Sequence, residues 1–190
     1  MSRKYEQKKR AERREDTRRK IVEAAVALHE TVGPALTTIT EIAERAGVSR
    51  LTVYRHFPDD IALISACSGL YGERNPFPDS ESWLSTDDPC DRLRQALIES
   101  YAYHRRTEAM MSRALADVPD SPVMKPYNDY WRNAADLVAS ASGLRGSEYS
   151  LLRAAIGHAL AFSTWRSLVR DQGLTDKQSV EVMVRLSSSQ

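Results

Sequence analysis

Between positions 49 and 56 the chain reads Ser-Arg-Leu-Thr-Val-Tyr-Arg-His. Wound into a helix with Val53 turned inward, this segment leaves one face carrying Arg50, Leu51, Thr52, Tyr54 and Arg55. That face offers charged donors, hydroxyls and an apolar contact for a thymine methyl, the groups that read base edges and phosphates in a major groove. A helix start at Ser49 also suits a phosphate. The partner such chemistry implies is double-stranded DNA.

Catalytic chemistry finds no comparable grouping. His29, His104 and His158 lie scattered, without an HExxH arrangement or a paired carboxylate, and the chain has neither a nucleophile elbow nor a phosphate-cradling Gly loop. No catalytic residue, metal site or cofactor is expected. Cys67 and Cys90, the two cysteines of the chain, fit neither a disulfide scaffold nor a four-ligand zinc site. The middle of the chain supplies a looser set of aromatic and Met side chains that includes Trp83, Tyr103, Met110, Met111, Met124, Tyr130, Phe162 and Trp165. Within it Tyr101, His104, Tyr127, Trp131 and His158 are the candidate contacts for a small ligand, each joining an apolar body to a hydrogen-bonding tip. The same residues would also make an ordinary core.

The elements that must hold these groups are helices. Ile21, Ala24, Ala25, Leu28 and Val32 recur at the spacing of one helical face, ended by Gly33-Pro34. Thr38 with Glu41 reads as a capping box for a short helix over about 39–46, stopped by Gly47. After the turn Gly47-Val48-Ser49, the Ser49 hydroxyl can cap a second short helix to about His56. Ile42, Ala43, Val48 and Val53 form the seam between the two, and small Ala43 and Ala46 permit a tight crossing. Further helices are expected over about 60–71, 89–106, 108–117, 123–142, 147–170 and 175–187, with a Pro-rich loop from Gly72 to Pro89 as the stretch most apt to move. No strand pattern or internal repeat appears. The fold class expected is all-α.

With 190 residues the chain has room for one or two small domains with a packed core. It contains no long apolar run and no apolar stretch behind its basic start, so it is expected to be soluble and cytoplasmic, without membrane contact. Charge is uneven. Residues 1–58 hold 13 Lys plus Arg against 8 Asp plus Glu, whereas residues 59–190 hold 14 against 18. Ten of the basic side chains stand in the first 20 residues, among them Arg10, Arg13, Arg14, Arg18 and Arg19. Such an arm either meets a polyanion or is a solvated helical extension laced by pairs such as Glu6 with Arg10.

The stretch from Lys20 to Leu63, above all Ile39 to Phe57, resembles the DNA-binding domain of the TetR family of transcriptional regulators. Gly33, Thr38, Ile42-Ala43, Ala46-Gly47-Val48-Ser49, Thr52, Tyr54, His56 and Phe57 stand at the family's spacing. The resemblance implies a homodimer of all-helical subunits. A basic arm (1–19) precedes a three-helix helix-turn-helix domain (20–65), and a larger helical domain (66–190) binds a small effector and dimerises. Thr38 and Thr40 would then meet phosphate or a base edge, Ser49, Arg50, Leu51, Thr52, Tyr54 and Arg55 would serve the groove, and Tyr54 and His56 the backbone. Tyr54 and Phe57 could equally be core residues, and His56 a C-terminal cap. Two departures stand out. Leu51 occupies a position where the family usually has a small residue, and Asp59-Asp60 replaces a common phosphate-binding Lys. Contacts from the Arg-rich arm to phosphate or the minor groove would compensate.

For dimerisation, Ala154, Ala155, Gly157, Ala159, Ala161 and Ser163 permit close helix approach, and Val180, Met183, Val184 and Leu186 give the last helix an apolar stripe. In the family such helices form a four-helix bundle between subunits. The stripe could instead be buried within one subunit. The functional expectation is a repressor released from a palindromic operator by a small apolar or amphipathic ligand. Rival readings are an activator or ligand-independent regulator, a small helical enzyme, and an adaptor whose arm meets acidic protein.

Overall fold

The computed structural model describes residues 3–119 and 121–187. The first two residues of the basic arm and the last three of the C-terminal segment lie outside them. Nine α-helices run through the described residues: α1 (Arg3–Thr31), α2 (Ile39–Ala46), α3 (Arg50–His56), α4 (Asp60–Arg74), α5 (Pro89–Asp117), α6 (Lys125–Ala139), α7 (Gly146–Leu160), α8 (Phe162–Arg166) and α9 (Asp176–Ser187). No strand occurs among the described residues. The chain divides into two compact units, one built from α1–α4 with the end of α5 from Ser112, the other from Phe77–Met111 and the chain from Met124 onward.

In the first unit α1 packs against α2, α3 and α4. Ile21, Ala24 and Ala25 are buried as their spacing requires, and Val22 and Val26 join them, whereas Val32 at the helix end is exposed. Ile42, Ala43 and Val53 close the seam between α2 and α3, while Val48 is half-buried. Thr38 and Glu41 form the reciprocal capping box, and Gly47 adopts φ +68° so that the Val48 N–H can reach the Ala43 carbonyl at 3.0 Å. Gly33 is required twice over. Its φ is +96°, and a Cβ there would stand 2.6 Å from Asp117 Oδ2, the oxygen that accepts the Ala35 N–H at 3.1 Å.

Three expected boundaries move. α4 runs on to Arg74, whose guanidinium pairs with Glu23 at 2.9 Å, and the following Pro-rich stretch contains a 3-10 turn, Ser80–Ser85, that buries Trp83 and ties its Nε1 to Glu99 at 2.9 Å. The expected pair of helices over 89–117 is one helix; Thr107, at the expected break, is buried and turns its hydroxyl back onto the Tyr103 carbonyl at 2.9 Å. Conversely, the expected single helix over 147–170 breaks at Ala161, which is extended (φ −69°, ψ 142°), and ends in a π-turn over Ser167–Asp171.

The break at Ala161 strands carbonyls that an unbroken helix would have satisfied. Buried side chains take them up. Thr164 Oγ1 donates to the His158 carbonyl at 2.6 Å, the Tyr101 hydroxyl to Ala159 at 3.0 Å, and His104 Nε2 to Leu160 at 2.8 Å. A carbonyl can only accept, so His104 carries its proton on Nε2 and its Nδ1 is a bare lone pair.

Candidate functional site

The helix-turn-helix residues divide into those that build the motif and those that face outward. Arg50, Leu51, Tyr54 and Arg55 on α3 are exposed, with Leu51 at 58% and Tyr54 at 45% of full exposure, while Thr52 is half-buried. An exposed Leu and Tyr flanked by two Arg is the face expected of a groove reader. The hydroxyls are already engaged. Ser49 Oγ accepts the Thr52 N–H at 3.2 Å and lies 2.9 Å from Thr52 Oγ1, and Thr38 Oγ1 donates to Glu41 at 2.8 Å while accepting the Glu41 N–H. Ser49 and Thr38 therefore fix the starts of α3 and α2, and the two bonds from Thr38 hold the Glu41 carboxyl below its ordinary range. Thr40, two residues after Thr38, is exposed.

Phe57 is buried, resolving its two readings in favour of the core. His56 beside it is half-buried, and burial first, then the positive charges of Arg14 and Arg18, lower its pKa. Arg18 also stands 5.0 Å over the Phe57 ring. The basic segment thus passes directly beside the end of α3. It does so as the first half of α1, a helix of 29 residues spanning about 43 Å. Asp59, the first of the two departing acids, caps α4 by accepting the Ala62 N–H at 2.7 Å.

In the second unit the candidate ligand residues are only partly brought together. His104 lies 4.8 Å from Trp131 and 6.3 Å from Tyr101 between ring centroids, and Tyr127 is 6.0 Å from Trp131. His158 stays outside the cluster, on the exposed face of α7, while Ala159 and Leu160 beside it are buried. Tyr101 is fully buried and committed to Ala159. Sequence reasoning missed Phe77, whose ring touches Tyr103, Tyr127, Tyr130 and Trp131; its flanking Pro76 and Pro78, which hold it in an extended segment, were the available signal. The stripe of α9 is largely internal: Val180, Met183 and Val184 are buried within the chain, and Leu186 remains 69% exposed. On α7, Leu151, Ala154 and Ala155 are exposed, whereas Ala159 is buried.

A bundle of helices with a capped, tightly crossed α2–α3 pair and a polar outward face on α3 is a helix-turn-helix protein. Residues 21–67 match the model for bacterial regulatory proteins of the tetR family. That region is similar to the N-terminal DNA-binding domain of the family's transcriptional regulators. A stretch of 91 residues is 31% identical to the HTH-type transcriptional regulator TtgR of Pseudomonas putida, covering 47% of this chain and 43% of that one. The chain thus aligns with less than half the length of that relative. Two solved structures share the fold. AibR in complex with isovaleryl coenzyme A and operator DNA is 18% identical, with a TM-score of 0.62 over 90% of this chain and 97% of the other. FadR from Bacillus subtilis in complex with stearoyl-CoA is 19% identical, with a TM-score of 0.59 over the same shares, 90% and 97%. No helix among the described residues is long and apolar enough to cross a membrane.

Proposed function

We propose that this protein is a homodimeric repressor that binds a palindromic operator through α3 and is released by a small apolar or amphipathic ligand held in the domain beyond residue 65. The observation that carries the reading is the face of α3: Arg50, Leu51, Tyr54 and Arg55 stand exposed on a helix whose other side is locked by Val53 into a buried seam. Arg50 and Arg55 would donate to bases and phosphates, Leu51 would contact a thymine methyl, and Tyr54 the backbone. Thr38, Thr40, Ser49, Thr52 and His56 would line the same contact, the hydroxyls by fixing two helix starts against phosphate. The exposed Leu151, Ala154, Ala155 and Leu186 support a subunit interface. A ligand would act by population shift, favouring a dimer whose α3 helices no longer fit successive major grooves.

Selection of bound fragments from genomic DNA at ~0.15 M salt tests this, comparing the wild type with Tyr54→Ala. The wild type is expected to recover a site of two inverted half-sites that the variant loses. Recovery of fragments without common sequence, equally by both proteins, would leave only the basic segment and favour the adaptor or an enzyme.

The helical basic segment adds a separate expectation. Arg14 beside His56 is positioned to meet the phosphates flanking the half-site, so removing residues 1–17 should flatten the salt dependence of operator binding by roughly 0.9 in log–log slope for every phosphate that the segment neutralises. Titrations between about 50 and 200 mM salt decide it, and an unchanged slope would rule the segment out.

A further inference from the structure

We propose that Phe77 is a resident stand-in for a ligand: the aromatic cluster of the second unit binds a flat, uncharged aromatic molecule of at least two fused rings, which displaces the Phe77 ring and gives a hydrogen bond to His104 Nδ1. This rests on the ligand-responsive reading above and names the chemistry of its ligand.

Phe77 belongs to no helix; it sits between Pro76 and Pro78 in the segment joining α4 to the 3-10 turn. Its ring nevertheless occupies the middle of a cage. It stacks on Tyr130 at 4.2 Å and 9° between planes, meets the Trp131 ring edge-on at 6.3 Å, and lies 5.3 Å from Tyr103 and 6.1 Å from Tyr127. Stacked and edge-to-face partners at such spacings are what an aromatic guest prefers. A side chain from an irregular segment, only half-buried itself, is the member of the cage most easily withdrawn.

The second observation lies deeper. His104 is fully buried, 4.8 Å from Trp131 and 5.9 Å from Tyr103, and with Nε2 committed to the Leu160 carbonyl its Nδ1 has no partner. Buried acceptors rarely go unmet in folded proteins. Burial also keeps the imidazole neutral, so what awaits is a lone pair in need of an O–H or N–H donor. Phe77 and His104 share Tyr103 and Trp131 as neighbours without a ring contact of their own, so a ligand that takes the place of Phe77 and also reaches Nδ1 must be larger than one ring. Charge is disfavoured in either sign. An anion would be stripped of water among ring faces, and Arg106, 5.4 Å over the Tyr103 ring, would repel a cation.

The test is calorimetric titration of the full chain with 2-naphthol and with 2-methoxynaphthalene, which keeps the rings and lacks the donor. The wild type is expected to bind 2-naphthol and to bind the ether at least about tenfold more weakly. Phe77→Ala and Phe77→Leu should bind 2-naphthol about tenfold more tightly, because the competing ring is gone and the open cage is no longer a minor state. His104→Asn, which can still donate to Leu160, should bind both probes alike. Equal binding of the two probes by the wild type, weaker binding by both Phe77 variants, or no binding by any of these proteins would overturn the proposal. None of these readouts involves DNA, so operator selection stands or falls independently.

Discussion

Acidification from pH 7 to 4.5 is expected to lower the stability of this protein by about 2.5 kcal/mol through His104 alone. Burial pushes the pKa of this imidazole down to about 4 against an ordinary 6.5, the opposing pull of the Leu160 carbonyl being the smaller influence. In the unfolded chain the ring titrates near 6.5. Between these values the unfolded state binds the extra proton and the folded state refuses it, so stability falls as the pH drops below about 6.5 and levels off below about 4. The proton would have to enter at Nδ1, creating an uncompensated charge among Trp131, Phe162 and Trp165. His29, buried in α1, has a pKa lowered by the same cause and adds to the loss with the same sign. Glu108, Asp136 and Asp176 are held below the ordinary carboxylate range by Arg170, Arg153 and Arg105, and so contribute at the acid end of the scale. The interval from pH 6.5 to 5 is therefore the histidine window. Urea denaturation across it should give a steep profile for the wild type and a shallower one for His104→Asn, which keeps a donor for Leu160 and cannot titrate. Parallel profiles would show that His104 is not held neutral by the fold.

That buried role marks where sequence reasoning ran out. The helix-turn-helix was legible almost to the residue because its signals are local: Thr38 and Glu41 three positions apart, Gly47 at a helix end and Ser49 before the next helix each act on their own turn of chain. α1 was legible as an amphipathic stripe, and its continuation through the basic segment was one of the two readings that the charge pattern left open. The second unit depends on contacts between residues far apart in sequence. Nothing local in Leu160-Ala161-Phe162 announces a break, since Ala161 is a helix former; it becomes tolerable only because Thr164, Tyr101 and His104 satisfy the carbonyls it releases. Tyr101 and His104 stand out in the sequence for polar tips on apolar bodies, which is sound chemistry. Those tips serve the backbone first, and of the two His104 alone keeps an unpartnered atom, as the neighbouring Trp131 does at Nε1.

The same break explains why Trp165→Ala is expected to cost about 3–5 kcal/mol, the largest loss foreseen for any single substitution here. Trp165 closes the first turn after Ala161, its backbone N–H reaching the Ala161 carbonyl at 3.1 Å, is wholly buried, and donates its Nε1 to Asp176 Oδ1 at 2.9 Å in the first turn of α9. Arg105 bonds the same carboxylate at 2.8 Å and lies 5.7 Å over the indole, so one side chain ties α5, α8 and α9 together. Truncation removes the ring from the core and leaves Asp176 with Arg105 as its remaining bonded partner of the two. Trp165→Phe retains most of the packing and forfeits the N–H donor, and should cost only about 1–2 kcal/mol, so the ranking of the two variants in urea separates packing from hydrogen bonding. Equal losses would mean that the indole ring contributes little beyond its N–H. The expected consequence for function is indirect. α9 carries Val180, Met183 and Val184 inward and the exposed Leu186 outward, so loosening it weakens the proposed subunit interface while leaving the face of α3 intact. Operator binding by Trp165→Ala should therefore fail at low protein concentration and recover as concentration drives dimerisation and folding together, whereas Tyr54→Ala should stay defective at every concentration.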